Sequence, residues 1–318
     1  AAAREGLDPR EDALRRVEEN LHIVDDSYRK SPIARDLFMT LLRTPGHLAE
    51  TLRAMHRCGF LCVYIPEFAL VRNLPRIDHY HAYTVDEHLI RSVGAAEELL
   101  VGTSPSNTEH VTQVANDLLR IDLLFFALLL HDVGKGEGRA HVIRGMHIAQ
   151  RVAERFDLRT IEQDLARNLV AHHQKMSHTA LRRDIEDPGV VKDLAETVRD
   201  PEELRMLYVH TACDMRGVSE ESWNEWRGQL LALLYERTLD ELRGIKRERK
   251  TRTPITDLRN QIWEALQDSE HAGRFSRADI DHFLADMPER YLNTTIPHHA
   301  VNHFLLSSEL SNQNRINY

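Results

Sequence analysis

The sequence predicts an all-α fold, on three observations. Apolar residues recur at helical spacing along nearly the whole of the 318-residue chain. Helix-start signals stand ahead of some of these runs. No alternation of apolar and polar residues is long enough to suggest a sheet. Periodicity places helices near 10–24, 32–43, 47–57, 85–100, 108–130, 140–156, 160–173, 189–199, 201–216 and 221–249, with weaker ones near 255–269, 277–286 and 297–308. Leu61-Cys-Val-Tyr-Ile65 is the single strand-like stretch, and Pro66 ends it.

Local signals fix several of these elements. Thr84-Val-Asp-Glu87 reads as a capping box, the Thr84 hydroxyl and the Glu87 carboxylate satisfying the first free N–H groups and setting His88 on the first turn. Pro201 takes the first position of a helix capped by Asp200. Leu204, Leu207, Tyr208 and Val209 then face inward, which carries Asp214 towards the helix end; His210 reads as packing. The spacing of Trp223 and Trp226 suits core packing. Pro254 and the basic run Lys246 to Arg252 separate a last segment, and that run reads as a solvated helix end. Three parts are expected: an N-terminal helical segment over 1–60, a central domain over 61–250 and a C-terminal helical segment over 251–318.

Composition narrows the function. A net charge of −9 argues against nucleic acid as an obligatory partner. Three cysteines, Cys58, Cys62 and Cys213, make no disulfide framework, so a reducing, cytoplasmic setting is expected. No stretch approaches the roughly 20 apolar residues of a membrane span. The opening lacks an initiator Met, so an excised fragment is expected.

Nineteen histidines make metal chemistry worth testing, and His131-Asp132 is where it concentrates. The dipeptide ends the apolar run Ile121 to Leu130 and opens the loop Val-Gly-Lys-Gly-Glu-Gly. An imidazole and a carboxylate on neighbouring residues can bind one cation together, while the second carboxylate oxygen reaches another. Asp132 is therefore assigned as the bridge of a two-metal centre. His88, His131 and Asp214 complete one metal; His141 and one or both of His172 and His173 complete the other. His172 and His173 diverge by about 100° if helical, and His172 is the preferred ligand. Two cations about 4 Å apart suit hydrolysis of a phosphodiester. A mixed imidazole and carboxylate shell favours Mn, Fe, Zn or Co, with Mg possible but less suited.

Lys135, in its Gly-rich loop, is assigned with Asp132 to the catalytic set because it can reach the phosphate or the attacking water. His147 fits no ligand position and reads as a partly exposed helix histidine. His81, beside His79, is read as outer support of the ligands. His178 and Arg182 share a helical face after Ser177, a plausible cap; with Arg183 they are assigned to substrate binding, against the plainer reading of salt bridges to Asp184 or Glu186.

His-Asp followed by Val-Gly-Lys, with a distant upstream His and a downstream Asp, resembles the HD superfamily of metal-dependent phosphohydrolases. Tyr80-His-Ala-Tyr-Thr-Val-Asp-Glu-His88, Leu130-His-Asp-Val-Gly-Lys-Gly136, Met176-Ser-His-Thr-Ala-Leu-Arg-Arg-Asp184 and Trp223-Asn-Glu-Trp-Arg-Gly-Gln-Leu-Leu-Ala-Leu-Leu-Tyr235 look like the HD region of the bifunctional PII uridylyltransferase/uridylyl-removing enzymes. The likeness runs from about Ser27 to Met287-Pro-Glu-Arg-Tyr-Leu292. It implies an HD-domain helical bundle with flanking helical segments, and a phosphodiesterase that takes UMP from the uridylylated PII signalling protein in nitrogen regulation. No Gly-Ser followed by an Asp-x-Asp pair is present and no βαββαβ pattern follows, so only the central part of that plan is expected here. A stand-alone nucleotide phosphohydrolase and a non-catalytic regulatory module are the alternatives.

Overall fold

The computed structural model describes residues 11–75, 83–137, 140–245, 255–267, 271, 273–288, 291–292 and 297–312. Among them there are helices and no strand. The helices run α1 (Glu11–Glu19), α2 (Asp26–Arg29), α3 (Pro32–Leu42), α4 (Leu48–Arg57), α5 (Phe60–Tyr64), α6 (Val85–Val101), α7 (Glu109–Asn116), α8 (Ile121–Leu130), α9 (His141–Arg155) and α10 (Thr160–His172). They continue as α11 (Lys175–Arg182), α12 (Pro188–Ala195), α13 (Pro201–Val218), α14 (Glu225–Leu242), α15 (Ile255–Gln267), α16 (Arg277–Ala285) and α17 (Pro297–Asn312). The chain divides into two compact units, Ala1–Gly244 and Ile245–Tyr318.

The first unit is built around α8. Asp122 to Leu130 are all buried, so this helix has no solvent face. Each fully enclosed Leu or Phe contributes on the order of 1.5–3 kcal/mol, and α8 presents them on every side to α3, α6, α10 and α13. Its one buried charge, Asp122, is neutralised by Arg120 at 2.9 Å and Arg43 at 2.7 Å. The apolar stretch near 108–130 is not one helix. It breaks after Asn116, and α8 restarts from Arg120, whose φ of −132° is not helical. With α8 apolar all round, its sequence carries no phase to reveal the break.

Helices α6 and α13 cross closely. A Cβ on Gly217 would meet Ser92 Oγ at 2.3 Å, so only glycine permits this approach. Leu61 to Tyr64, strand-like in sequence, belong to α5; Gly59, with φ +78°, turns the chain into it. Asp200 caps α13 as expected, accepting from the Glu203 N–H at 2.9 Å. Thr84 does not form the expected capping box. Glu87 turns away to Arg53 at 2.8 Å, and Thr84 hydrogen-bonds to the side chain of Asp86. Trp223 is buried and donates to the Asn107 carbonyl at 3.3 Å, whereas Trp226 is exposed. Cys58, Cys62 and Cys213 are buried free thiols.

The second unit has its own small core of Leu258, Ile262, Leu266, Ile280, Phe283, Leu284, Ala300 and Phe304, drawn from α15, α16 and α17. Ser276 and Asp279 form a reciprocal capping box at the start of α16. Lys246 to Arg252, Pro254, His79 and His81 lie outside the described residues.

Candidate metal centre

Four elements of the first unit bring their side chains to one buried point. His88 comes from the first turn of α6, whose His88 N–H bonds the Thr84 carbonyl at 2.9 Å. His131 and Asp132 follow the last residue of α8, Asp214 lies near the end of α13, and His173 follows α10. His88, His131, Asp132 and His173 are all at most 2 % exposed.

Two of these histidines are fixed by one local device. His131 stands just past α8 and its Nδ1–H donates to the Leu128 carbonyl at 2.9 Å. His173 stands just past α10 and donates in the same way to Val170 at 2.7 Å. Each bond satisfies a helix-end carbonyl three residues back. It also fixes the tautomer, leaving Nε2 with a lone pair turned into the cluster.

The Nε2 atoms then gather around carboxylate oxygens. Asp214 Oδ1 lies 3.1 Å from His88 Nε2 and 3.3 Å from His131 Nε2. Asp132 Oδ2 lies 3.6 Å from His88 and 3.7 Å from His131. Its other oxygen, Oδ1, lies 3.7 Å from His173 Nε2. His88, His131 and Asp132 present ligand atoms close enough to share one ion; so do Asp132, His141 and His173. The Asp132 carboxylate thus belongs to both sets, one oxygen facing each way.

Charge at this point calls for a cation. His88 Nε2 and His131 Nε2 face one another at 3.2 Å, a separation that one shared proton or one cation can bridge. Burial alone would lower the His131 pKa, but Asp214 and Asp132 outweigh it and raise it. Burial likewise raises the carboxyl pKa of Asp214, yet the His131 and His88 imidazoles hold it well below the ordinary value. His173 is kept neutral, its pKa lowered by burial and by His131. Neutral imidazoles and ionised carboxylates are the forms in which these side chains bind metal. A cation can take the place of the proton that Asp214 and Asp132 draw onto His131, so the donor set fits divalent cations.

The two adjacent histidines part company. His173 enters the cluster, whereas His172, the preferred ligand in sequence, does not. It lines a surface cavity of about 380 Å³ with Asp164, Arg167, Asn168 and Glu196. The hydrogen bond to Val170 holds the His173 ring inward, and one residue of helical rotation sends His172 outward. Burial and Lys175 lower the His172 pKa. His141 opens α9 and is approached by Gln174 Nε2 at 3.4 Å, a neighbour that sequence reasoning missed. Gly134 makes this possible: a Cβ there would lie 2.1 Å from the His141 carbonyl oxygen.

Lys135 is paired with Asp132 Oδ2 from the short 3-10 turn Val133–Glu137. His178, Arg182 and Arg183 lie exposed on or beside α11, and Arg183 pairs with Asp193 at 3.0 Å, not with Asp184 or Glu186. Ser177 lies inside α11 and not at its cap. His147 is exposed on α9. His210, read in sequence as packing, is wholly buried against the rings of His131 and His173.

Two family models match the chain: the uridylyltransferase GlnD third domain over residues 3–64, and the HD domain over residues 85–214, which begins and ends on the helices that supply His88 and Asp214. Among curated relatives, the bifunctional uridylyltransferase/uridylyl-removing enzyme of Cereibacter sphaeroides is 34 % identical over 82 % of this chain and 30 % of its own length. The enzymes of that name from Ruegeria pomeroyi and Methylococcus capsulatus are 34 % and 36 % identical, over 80 % and 72 % of this chain and 29 % and 26 % of their own lengths. The chain thus spans under a third of the length of these relatives. No described helix is long and apolar enough to cross a membrane. The residues that converge here, the two matching models and these relatives agree: the chain belongs to the HD-domain family of metal-dependent hydrolases, in the form found within bifunctional uridylyltransferase/uridylyl-removing enzymes.

Proposed function

We propose that this chain is the uridylyl-removing part of such an enzyme, a phosphodiesterase that releases UMP from a uridylylated PII signalling protein. The observation that carries the reading is the split carboxylate of Asp132, with one oxygen directed to His88 and His131 and the other to His173. That division suits two divalent cations, one held by His88, His131, Asp132 and Asp214, the other by Asp132, His141 and His173. Bound together, such cations supply an activated water and screen the phosphate charge.

The protein's own groups have distinct tasks. Leu128 and Val170 hold the tautomers of His131 and His173. Lys135, anchored on Asp132 and 16 % exposed, brings an ammonium group to the mouth of the cluster, where it can meet a phosphoryl oxygen. The departing tyrosine phenolate has a pKa near 10, so its protonation is less demanding than that of an alkoxide. His178, Arg182 and Arg183 offer an exposed cationic surface to an acidic patch or phosphate on the partner.

The test is release of UMP from uridylylated PII by the manganese-loaded chain. Asp132→Asn is expected to lower release at least about 1,000-fold while the far-ultraviolet spectrum stays helical, since both ligand groups lose a charge. Hydrolysis of a small nucleotide but not of modified PII would point to a stand-alone nucleotide hydrolase. No hydrolysis and no bound metal would point to a regulatory module.

A further inference from the structure

His210 is a buried histidine that neither ligand group uses. It lies on α13 one turn before Asp214 and is 0 % exposed, and no close, well-aligned hydrogen bond reaches either ring nitrogen. The Ala127 carbonyl lies where it can accept from one ring nitrogen, and the other is left without a partner. Its ring stands edge-on to His131, with centroids 5.2 Å apart and planes at 83°. It is tilted against His173 at 6.3 Å and 55°. His210 therefore touches one imidazole from each of the two ligand groups.

Such a position is unfavourable for an imidazole that meets only protein. Burial takes away its hydrogen bonds to water and returns at most one, from the Ala127 carbonyl, whereas a leucine would fill the space without that loss. The neighbouring rings cannot compensate. The Nδ1 atoms of His131 and His173 are engaged by the Leu128 and Val170 carbonyls, and their Nε2 atoms face the carboxylates. The group able to use the second His210 nitrogen is one that these neighbours do not supply.

We propose that His210 is a further residue of the metal centre, an imidazole kept for a divalent cation of the Mn, Fe, Zn or Co kind held by this cluster. The proposal rests on reading the cluster as a metal centre and is independent of which phosphodiester is hydrolysed. Its test needs no substrate. Metal-free wild type, His210→Leu and His210→Phe are titrated with Co²⁺ and Mn²⁺ by calorimetry, the cobalt absorption spectrum is recorded, and thermal unfolding is followed in chelator. Both variants are expected to bind cation about 10-fold more weakly, the low end of what outer partners of metal ligands contribute. Their cobalt spectra are expected to change. Their metal-free melting temperatures should match or exceed that of wild type, because an unsatisfied polar group has been removed.

Weaker binding with undiminished metal-free stability is what a merely structural residue would not produce. Unchanged affinity and spectrum in either folded variant would overturn the proposal. So would affinity that falls only in step with a lower metal-free melting temperature. Leu and Phe differ in shape, so one variant remains informative if the other fails to fold. Wild-type protein that binds no cation would sink the metal reading itself, which is a different failure from that of His210 alone.

Discussion

The sharpest contrast the structure offers is between neighbouring histidines, His173→Ala and His172→Ala. The first removes the Nε2 that faces Asp132 Oδ1 at 3.7 Å and leaves the second ligand group with only Asp132 and His141. It also strands the Val170 carbonyl, which accepts from His173 Nδ1 at 2.7 Å in a site 1 % exposed. An unsatisfied buried acceptor costs about 1–3 kcal/mol, and the vacated ring adds a cavity term. Metal-free His173→Ala should thus lose about 2–3 kcal/mol of stability. Removing one of three ligands should weaken the second cation by at least about 100-fold, equivalent to roughly 2.7 kcal/mol. His172→Ala should change stability by about 1 kcal/mol or less, being half-buried at the rim of an open cavity. Metal affinity should not move. The assays are calorimetric titration with Mn²⁺ and urea unfolding in chelator. Loss of the second cation in His172→Ala but not in His173→Ala would refute the placement of the two rings.

Two other outcomes follow from packing and titration. Gly134→Ala puts a methyl 2.1 Å from the His141 carbonyl oxygen and 2.5 Å from Gly145 N; it should cost about 1–3 kcal/mol and lower metal occupancy to about one ion per chain by elemental analysis. An unchanged melting temperature and occupancy would show that the turn yields freely. His56 accounts for a pH dependence: its bond to Asp86 at 2.8 Å, and contact with Cys62, raise its pKa to about 9. Because the folded value lies above the ordinary 6.5, the stabilisation is complete below about pH 6.5 and is lost as pH rises through 9. At most about 3 kcal/mol is at stake, and His56→Gln should flatten the stability profile between pH 6.5 and 9. A variant that keeps the wild-type slope there would dismiss His56 as its source.

Much of the architecture was legible because helical periodicity and end signals act locally. Pro201 after Asp200 is such a case: cap and first-turn proline determine one another within four residues. The failures came where distant residues compete. Glu87 carries the letter of a capping box, but Arg53, 34 positions away, takes its carboxylate. The break before α8 was hidden because that helix is enclosed by neighbours on every side. Within the site, residue types and order pointed to His88, His131, Asp132, His141 and Asp214, and the structure brings these together. The choice between His172 and His173 depends on a single hydrogen bond to Val170, which no composition or spacing reports. His210 had one readable sign, its place four residues before Asp214 on the same helical face. Its burial against two imidazoles arises from two other elements, the ends of α8 and α10.

His131 and His173 each sit at the carboxyl end of a helix, α8 and α10. The aligned peptide dipoles of a helix place about half a negative elementary charge at that end. Two such ends converge on the cluster, adding to the two aspartates an electrostatic pull that no side chain carries. The backbone itself therefore recruits positive ions and opposes anions. A phosphate ester enters this field favourably only after cations have reversed its sign, so metal loading should precede substrate capture.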